Sequence, residues 1–233
     1  MPRRPVWLPS HMTESAGVIK VDIWSDVACP WCYIGKRRFE AALGDFDGEV
    51  EVEYHSYELA PDTPEDFEGT HKDYLVSRGF PAEQIDAMDA RIIAIGQTLG
   101  LDYDYEANKP TRTLLAHELI HYAKARGRQA EMKERLMAAY FERGEHVGRV
   151  EDLVAIAEEL GFDGADVRRS LESHEYAGDV QIDIAGAQSI GVRGVPFFVF
   201  DRKYAVSGAQ ESGTFLDVLN AVSQERASAG SEG

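Results

Sequence analysis

Two residues of the chain can do sulfur chemistry, and they stand close together. Cys29 and Cys32, in Cys29-Pro30-Trp31-Cys32, are its only cysteines. A thiolate is the nucleophile in disulfide exchange, and two intervening residues let both sulfurs meet across one helical turn. Cys29, at the open first turn of a helix, is expected to attack a disulfide. Cys32, one turn further in and more covered, is expected to resolve the mixed disulfide. Unpaired amides and the helix dipole at a first turn favour an anion, so the Cys29 thiolate is expected to be the favoured one. The bland alternative is a structural disulfide or a pair of inert thiols. A C-x-x-C after a strand and before a helix, with no other cysteine in the chain, favours redox use.

A second motif could carry different chemistry. His117-Glu118-Leu119-Ile120-His121 matches H-E-x-x-H on a helical segment, the pattern by which two histidines bind zinc while a glutamate acts as base. The extended form of that motif needs a glycine and a third histidine, where this chain has Lys124 and Gly127. A third ligand could come from Glu142, Glu145 or His146 further on. In the bland reading His117 packs its helix, Glu118 is exposed and His121 partly so, and no metal is expected. Among weaker candidates, Asp26 could accept a proton near Cys32 or simply cap a turn. His55 reads as a sheet-surface histidine, and Trp24 and Trp31 could line a substrate groove or merely pack.

The elements that must position these residues follow from periodicity. Ile19, Val21 and Ile23 alternate as a half-buried strand that ends just before the cysteines. From Cys32 the spacing of Gly35, Phe39, Ala42 and Leu43 is helical. Residues 49–57 form a second strand, and 62–71 are polar and acidic, hence loop. Helices follow from about Pro81 to Gly100, from Asn108 to Gly127, around Met132, Leu136 and Tyr140, up to Gly161, around Val167 and Leu171, and over 176–189. Gly191 to Pro196 punctuates the chain, Phe197–Phe200 and Tyr204–Ser207 are strands, and Phe215 to Val222 marks a last helix. The order β-α-β, helices, β-β-α places strands from both ends in one sheet, since neither pair is stable alone. This is an α/β, thioredoxin-like arrangement: residues 18–63 and 176–223 make a discontinuous domain, and 64–175 an all-helical insertion. Residues 1–17 and 224–233 are expected to be flexible termini, and Ser10-His11-Met12 resembles a cloning junction, which would make 1–11 foreign to the fold.

Composition limits the partners. The chain has 233 residues, of which 44% are hydrophobic, enough for a sizeable core. No run approaches the roughly 18 apolar residues of a membrane span, and the basic start, Met1 to Pro5, lacks the apolar run of a secretory signal. A net charge of −17 argues against nucleic acid or an anionic membrane as partner. Two cysteines in one motif do not form a secreted disulfide framework, so a reducing cytoplasm is expected.

These residues resemble the DsbA-like thioredoxin family, and more closely its FrnE-like branch. The matching pieces are Ser25-Asp26, Cys29 to Lys36, Ala116-His117, Ala139-Tyr140-Phe141, Gly194-Val195-Pro196-Phe197-Phe198-Val199 and Ser207-Gly208-Ala209-Gln210. The resemblance implies a thiol–disulfide oxidoreductase or isomerase acting on protein disulfides, with no cofactor beyond its own redox-active disulfide. It implies a cis Val195–Pro196 bond against the cysteines, with Val195, Pro196, Pro30 and Trp31 positioning the substrate. Periplasmic DsbA proteins resemble this site but carry histidine where this chain has Trp31, so a milder potential is expected here. The related chromene-carboxylate isomerases, which use glutathione, have serine in place of the first cysteine. Cys29 argues against membership there, though a small-thiol cosubstrate stays open. Three alternatives therefore remain: a small-thiol-dependent isomerase or transferase of the same fold, a zinc hydrolase using His117 and His121, and a redox-switched binding module or chaperone.

Overall fold

The computed structural model of the protein describes residues 17–230; side chains are described up to residue 228. The expectations for residues 1–16, the cloning junction included, and for 231–233 lie outside the described residues.

Strand β1 (Ile19–Ser25) leads through helix α1 (Pro30–Gly44) to β2 (Val50–Ser56), which pairs with it in parallel, Val21 opposite Val52. Five helices and the segments between them come next: α2 (His71–Ser77), α3 (Ala82–Thr98), α4 (Leu114–Lys124), α5 (Gln129–Phe141) and α6 (Val150–Glu159). Then follow α7 (Gly164–Glu172), α8 (Ala177–Ser189), β3 (Phe197–Phe200), β4 (Tyr204–Ser207) and α9 (Ser212–Gly230). The sheet order is β2-β1-β3-β4, with β3 antiparallel to β1 and Val21 opposite Phe200. Strands from the two ends of the chain thus share one sheet, as the strand pattern predicts.

Alternation along β1 sorts its side chains onto two faces. Ile19, Val21 and Ile23 join Phe198 and Phe200 under Phe39 of α1 and Phe215 of α9. The Phe39 ring centre lies 5.4 Å from that of Phe198 and 5.5 Å from that of Phe215. Truncating such a buried ring typically costs about 3–5 kcal/mol. On the opposite face Trp24 packs with Ala187 and Val192, and its indole N–H donates to the Asp183 carbonyl at 3.0 Å. Helix α1 enters two cores. Phe39 and Ala42 belong to the sheet core, whereas Cys32, Tyr33 and Ile34, nearer its start, pack into the core of the helical block. The cysteines therefore sit where the two cores meet.

Three local differences from the sequence reading have clear causes. Helix α2 forms between the polar segment read as loop, residues 62–71, and the helix expected from about Pro81, started by a capping box in which Thr70 and Asp73 satisfy each other's backbone N–H groups. Helix α4 starts at Leu114 rather than near Asn108, because the side chains of Asn108 and Thr111 donate to the distant carbonyls of Tyr140 (2.9 Å) and Glu65 (2.7 Å). Helix α9 runs on to Gly230, past the predicted start of the flexible tail. There the Arg226 guanidinium grips the Asp201 carboxylate with two bonds, of 2.6 and 2.7 Å.

Candidate active site

The chain leaves β1 at Ser25 and turns through Asp26, Val27 and Ala28 before α1 begins. Cys29 is the N-cap residue, in extended conformation, and Pro30 occupies the first turn, where its missing N–H costs nothing. Asp26 organises the turn. Its carboxylate accepts from the N–H of Ala28 (3.3 Å) and of Leu59 (2.7 Å), and His117 Nε2 lies 3.3 Å away. Burial alone would raise the Asp26 carboxyl, but His117 and the Leu59 amide outweigh it and hold it below its ordinary value.

Cys29 and Cys32 are free thiols within hydrogen-bonding reach of each other. The exposure contrast predicted from sequence is absent: Cys29 is 4% exposed and Cys32 2%. What differs is what each sulfur meets. Cys29 lines a cavity and its thiol donates to the Val195 carbonyl at 3.6 Å, whereas Cys32 faces the interior. The electrostatics add to the sequence reading. The hydrogen bond to Cys32 and burial push the Cys29 thiol well up. Burial likewise raises Cys32, but the Cys29 hydrogen bond and the Lys133 ammonium overcome it, so Cys32 is held below the ordinary thiol range. In the reduced pair a thiolate is stabilised by the S–H of the neighbouring sulfur and then by the Lys133 ammonium, a group that the dipole argument did not include.

That lysine, on α5, is 1% exposed, and its Nζ donates to the Ser25 carbonyl at 3.3 Å. Burial pushes it down to about 8, with Cys32 and Asp26 pulling the other way. Sequence reasoning missed it. The available signal was its phase, since Lys133 falls four residues before Met137 and eight before Phe141, both buried on the same helix.

Pro196 follows Val195 through a cis peptide bond and lies against α1. A Cβ on Gly35 would come within 2.9 Å of Pro196 Cγ, so glycine is what allows the two to approach. Pro30 offers its carbonyl to the Tyr103 hydroxyl at 2.8 Å, and Trp31 is partly exposed on the cavity wall. The cavity measures about 520 Å³ and lies between these residues and α2, α3 and the segment before α4. A broader depression of about 710 Å³ near Arg168 and Glu172 contains no cysteine or histidine.

The profile of the DSBA-like thioredoxin domain matches residues 20–220. The chain belongs to this family. A solved structure of a probable DsbA oxidoreductase from Streptomyces coelicolor is 37% identical, covers 88% of this chain and 89% of its own, and superposes with a TM-score of 0.82. The Bacillus subtilis protein YwbO is 30% identical over 164 residues, 70% of this chain and 76% of that one. A cytosolic disulfide reductase, DsbM of Pseudomonas aeruginosa, solved with GSH, shares the fold at 18% identity and a TM-score of 0.59, over 91% of this chain and 98% of that one.

Within this family fold the H-E-x-x-H helix does not gather its residues. His117 turns to Asp26, while His121 Nε2 lies 3.0 Å from an Asp183 carboxylate oxygen and 3.2 Å from Ser56 Oγ. Glu118, expected at the surface, is 1% exposed and pairs with His174 at 2.9 Å. His121 is buried as well. Among the described residues, the three potential ligand atoms that come within 4.8 Å of one another belong instead to Asp22, Glu53 and His55. Lys124 is ion-paired with that Glu53, so one of the three already has a cationic partner. His55, read as a sheet-surface residue, is half-buried between Asp22 and Asp183, 2.8 Å from each. Trp24 stacks on it at 4.6 Å rather than lining the cavity. No described helix is long and apolar enough to cross a membrane.

Proposed function

We propose that the protein is a dithiol–disulfide oxidoreductase working through Cys29 and Cys32. The observation that carries this reading is that two free thiols share a hydrogen bond at the start of α1 and only Cys29 faces the cavity. As a substrate disulfide approaches, the Cys29 proton passes along the hydrogen bond to the Cys32 thiolate. The Cys29 thiolate forms a bond to one substrate sulfur, and the other leaves as a thiolate that takes up a proton from solvent. Asp26 then accepts the proton from Cys32, which attacks Cys29 Sγ. The Cys29–Cys32 disulfide forms and the second substrate sulfur departs as a thiolate that takes up the proton Asp26 relays, so the substrate gains two electrons and two protons, one from the cysteine pair and one from solvent. The same steps reversed oxidise a dithiol.

Val195 and Pro196 position the substrate: the Val195 carbonyl already engages the Cys29 thiol at 3.6 Å, and an incoming chain can take its place. Pro30 and Trp31 shape the rim. The milder potential expected from Trp31, a reducing cytoplasm and the FrnE-like branch belong to this reading, supported by Cys-Pro-Trp-Cys, Val-Pro-Phe-Phe and Ser-Gly-Ala-Gln in order. The likeness to a probable DsbA oxidoreductase at 37% identity supports it as well.

Single-cysteine variants test it. Cys29→Ser should abolish disulfide reductase activity. Cys32→Ser should still attack and then accumulate mixed disulfides with clients, visible on non-reducing gels and released by dithiothreitol. Trapping by Cys29→Ser instead would reverse the two roles. Activity retained by both variants would remove the pair from the mechanism and leave the binding-module reading.

A further inference from the structure

The cavity beside Cys29 has a polar end that the exchange chemistry does not use. Most of its wall is apolar or aromatic, with Trp31, Met88, Ile92 and Phe141 among the lining residues. Opposite these stand His71 on α2, Asp89 on α3 and Tyr105. His71 Nε2, Asp89 Oδ1 and the Tyr105 hydroxyl are each shielded from solvent and have no hydrogen-bond partner among the described residues. His71 Nε2 and Asp89 Oδ1 lie 3.4 Å apart, without hydrogen-bond alignment. Buried polar atoms left unpaired cost stability, so three of them on the lining of one cavity are a reason to look for what pairs them.

Stacking fixes these groups relative to the sulfur. The His71 ring lies flat on Tyr105, centres 4.3 Å apart, and Tyr105 stacks on Tyr103 at 5.8 Å. Tyr103 in turn donates to the carbonyl of Pro30, the residue after Cys29. The aromatic chain therefore runs from the reacting cysteine to the polar end. A volume of about 520 Å³ falls within the range of small-molecule sites, roughly 300–1,000 Å³.

The charges at that end select against anions. Burial lowers the His71 imidazole below its ordinary value in spite of Asp89, and burial raises the Asp89 carboxyl in spite of His71. Arg78, the cation of the lining, is already bound to the Asp62 carboxylate at 2.7 Å. An anionic group would meet an acidic protein and no free cation in the lining. A neutral hydroxyl, which both donates and accepts, fits a carboxyl oxygen, an imidazole nitrogen and a phenol.

We infer that this cavity takes a small aromatic disulfide or thiol carrying a neutral hydroxyl, which seats on His71, Asp89 and Tyr105 while its sulfur meets Cys29. The inference deepens the oxidoreductase reading by naming the substrate class, and it rests on that reading only for the chemical step.

Binding is measured first on the protein with both cysteines replaced by serine, where no exchange can occur. The probes are bis(4-hydroxyphenyl) disulfide, diphenyl disulfide and bis(4-carboxyphenyl) disulfide, followed by calorimetry. The hydroxyl compound should bind about tenfold more tightly than the unsubstituted one, the worth of a well-made buried hydrogen bond. The carboxylate should bind worst. Tyr105→Phe, which keeps the ring stack, should cut the hydroxyl preference, and Asp89→Leu should remove it. Equal affinity for the first two probes, tighter binding of the carboxylate, or a preference that survives in both variants would overturn the inference. Turnover of the same probes by the unaltered protein then tests the chemistry separately. A binding preference without turnover would count against the redox reading and leave the cavity assignment standing.

Discussion

Helix α4 sends two histidines, one turn apart, to two buried carboxylates. His117 meets Asp26 at the end of β1, and His121 meets Asp183 on α8. Both pairs lie between the sheet and the helical block, and both carboxyls are held below their ordinary value. Their neighbours differ. Beside Asp26 stand the Cys29 and Cys32 thiols and the Lys133 ammonium, groups that exchange protons in the proposed reaction. Asp183 instead joins His55 (2.8 Å), the Ser56 N–H (2.8 Å) and His121, so it ties α8, β2 and α4 together with no sulfur in reach. The same pair of residue types is chemical in one place and structural in the other, and the adjoining group decides which.

If that division is right, Asp183→Asn should give the largest stability loss. It removes the charge and one of the two acceptor oxygens that two histidines and an amide share, and breaking a buried ionic network costs about 3 kcal/mol or more. Denaturant midpoints would show it, while the exchange rate per folded molecule should stay close to the parent's. A fall in that rate as large as the one caused by altering Asp26 would erase the distinction.

Asp26→Asn is the converse case. Loss of the proton acceptor should slow the attack of Cys32 on the mixed disulfide by about a hundredfold at neutral pH, the lower range for general base catalysis. Rapid-quench release of the second substrate thiol measures that step. An unchanged rate would assign Asp26 to holding the turn alone.

Lys133→Met should act on ionisation more than on architecture. Without the ammonium, Cys32 loses a cause of its lowered value, and alkylation of the reduced pair at pH 7 should slow severalfold. A pH–alkylation curve that does not move would mean the hydrogen bond between the sulfurs suffices.

The smallest effect expected is in the pH dependence of stability. Burial opposes protonation of His55, but Asp183 and Asp22 overcome it and raise its pKa above the ordinary 6.5. Its contribution is therefore complete below 6.5 and lost as pH rises through the raised value. Asp183 has the opposite sign: its contribution is present above the ordinary 3.8 and lost in acid. Melting temperature should fall on both sides of a plateau, and His55→Gln should flatten the alkaline side. An unchanged alkaline limb would place that titration elsewhere.

Much of this site was legible because its parts are local. Two cysteines three residues apart, a proline at the first helical turn and an alternating strand before them are short-range signals. The sheet joining both chain ends also followed, since two isolated strand pairs do not survive alone. What escaped was long-range. Lys133 lies more than a hundred positions from Cys29 in the sequence, and only packing of α5 against the turn makes it a neighbour. His71 sits in a segment whose polarity suggested loop, and its stack on Tyr105 has no sequence signature. The H-E-x-x-H pattern misled for a related reason: spacing puts two histidines on one helix face, but each imidazole turns to its own carboxylate.

The pairing of β1 with β3 has a consequence for synthesis. Val21 finds Phe200 only after nearly the whole described chain has emerged. Pairings of such separation close slowly, and an apolar strand edge left open meanwhile invites association with other chains. During that interval Cys29 and Cys32 are already made, but Val195 and Pro196, which will cover them, are not. The nascent protein thus passes through a period in which its thiols are uncovered, and anything that oxidises or captures them then does so before the fold can choose their partner.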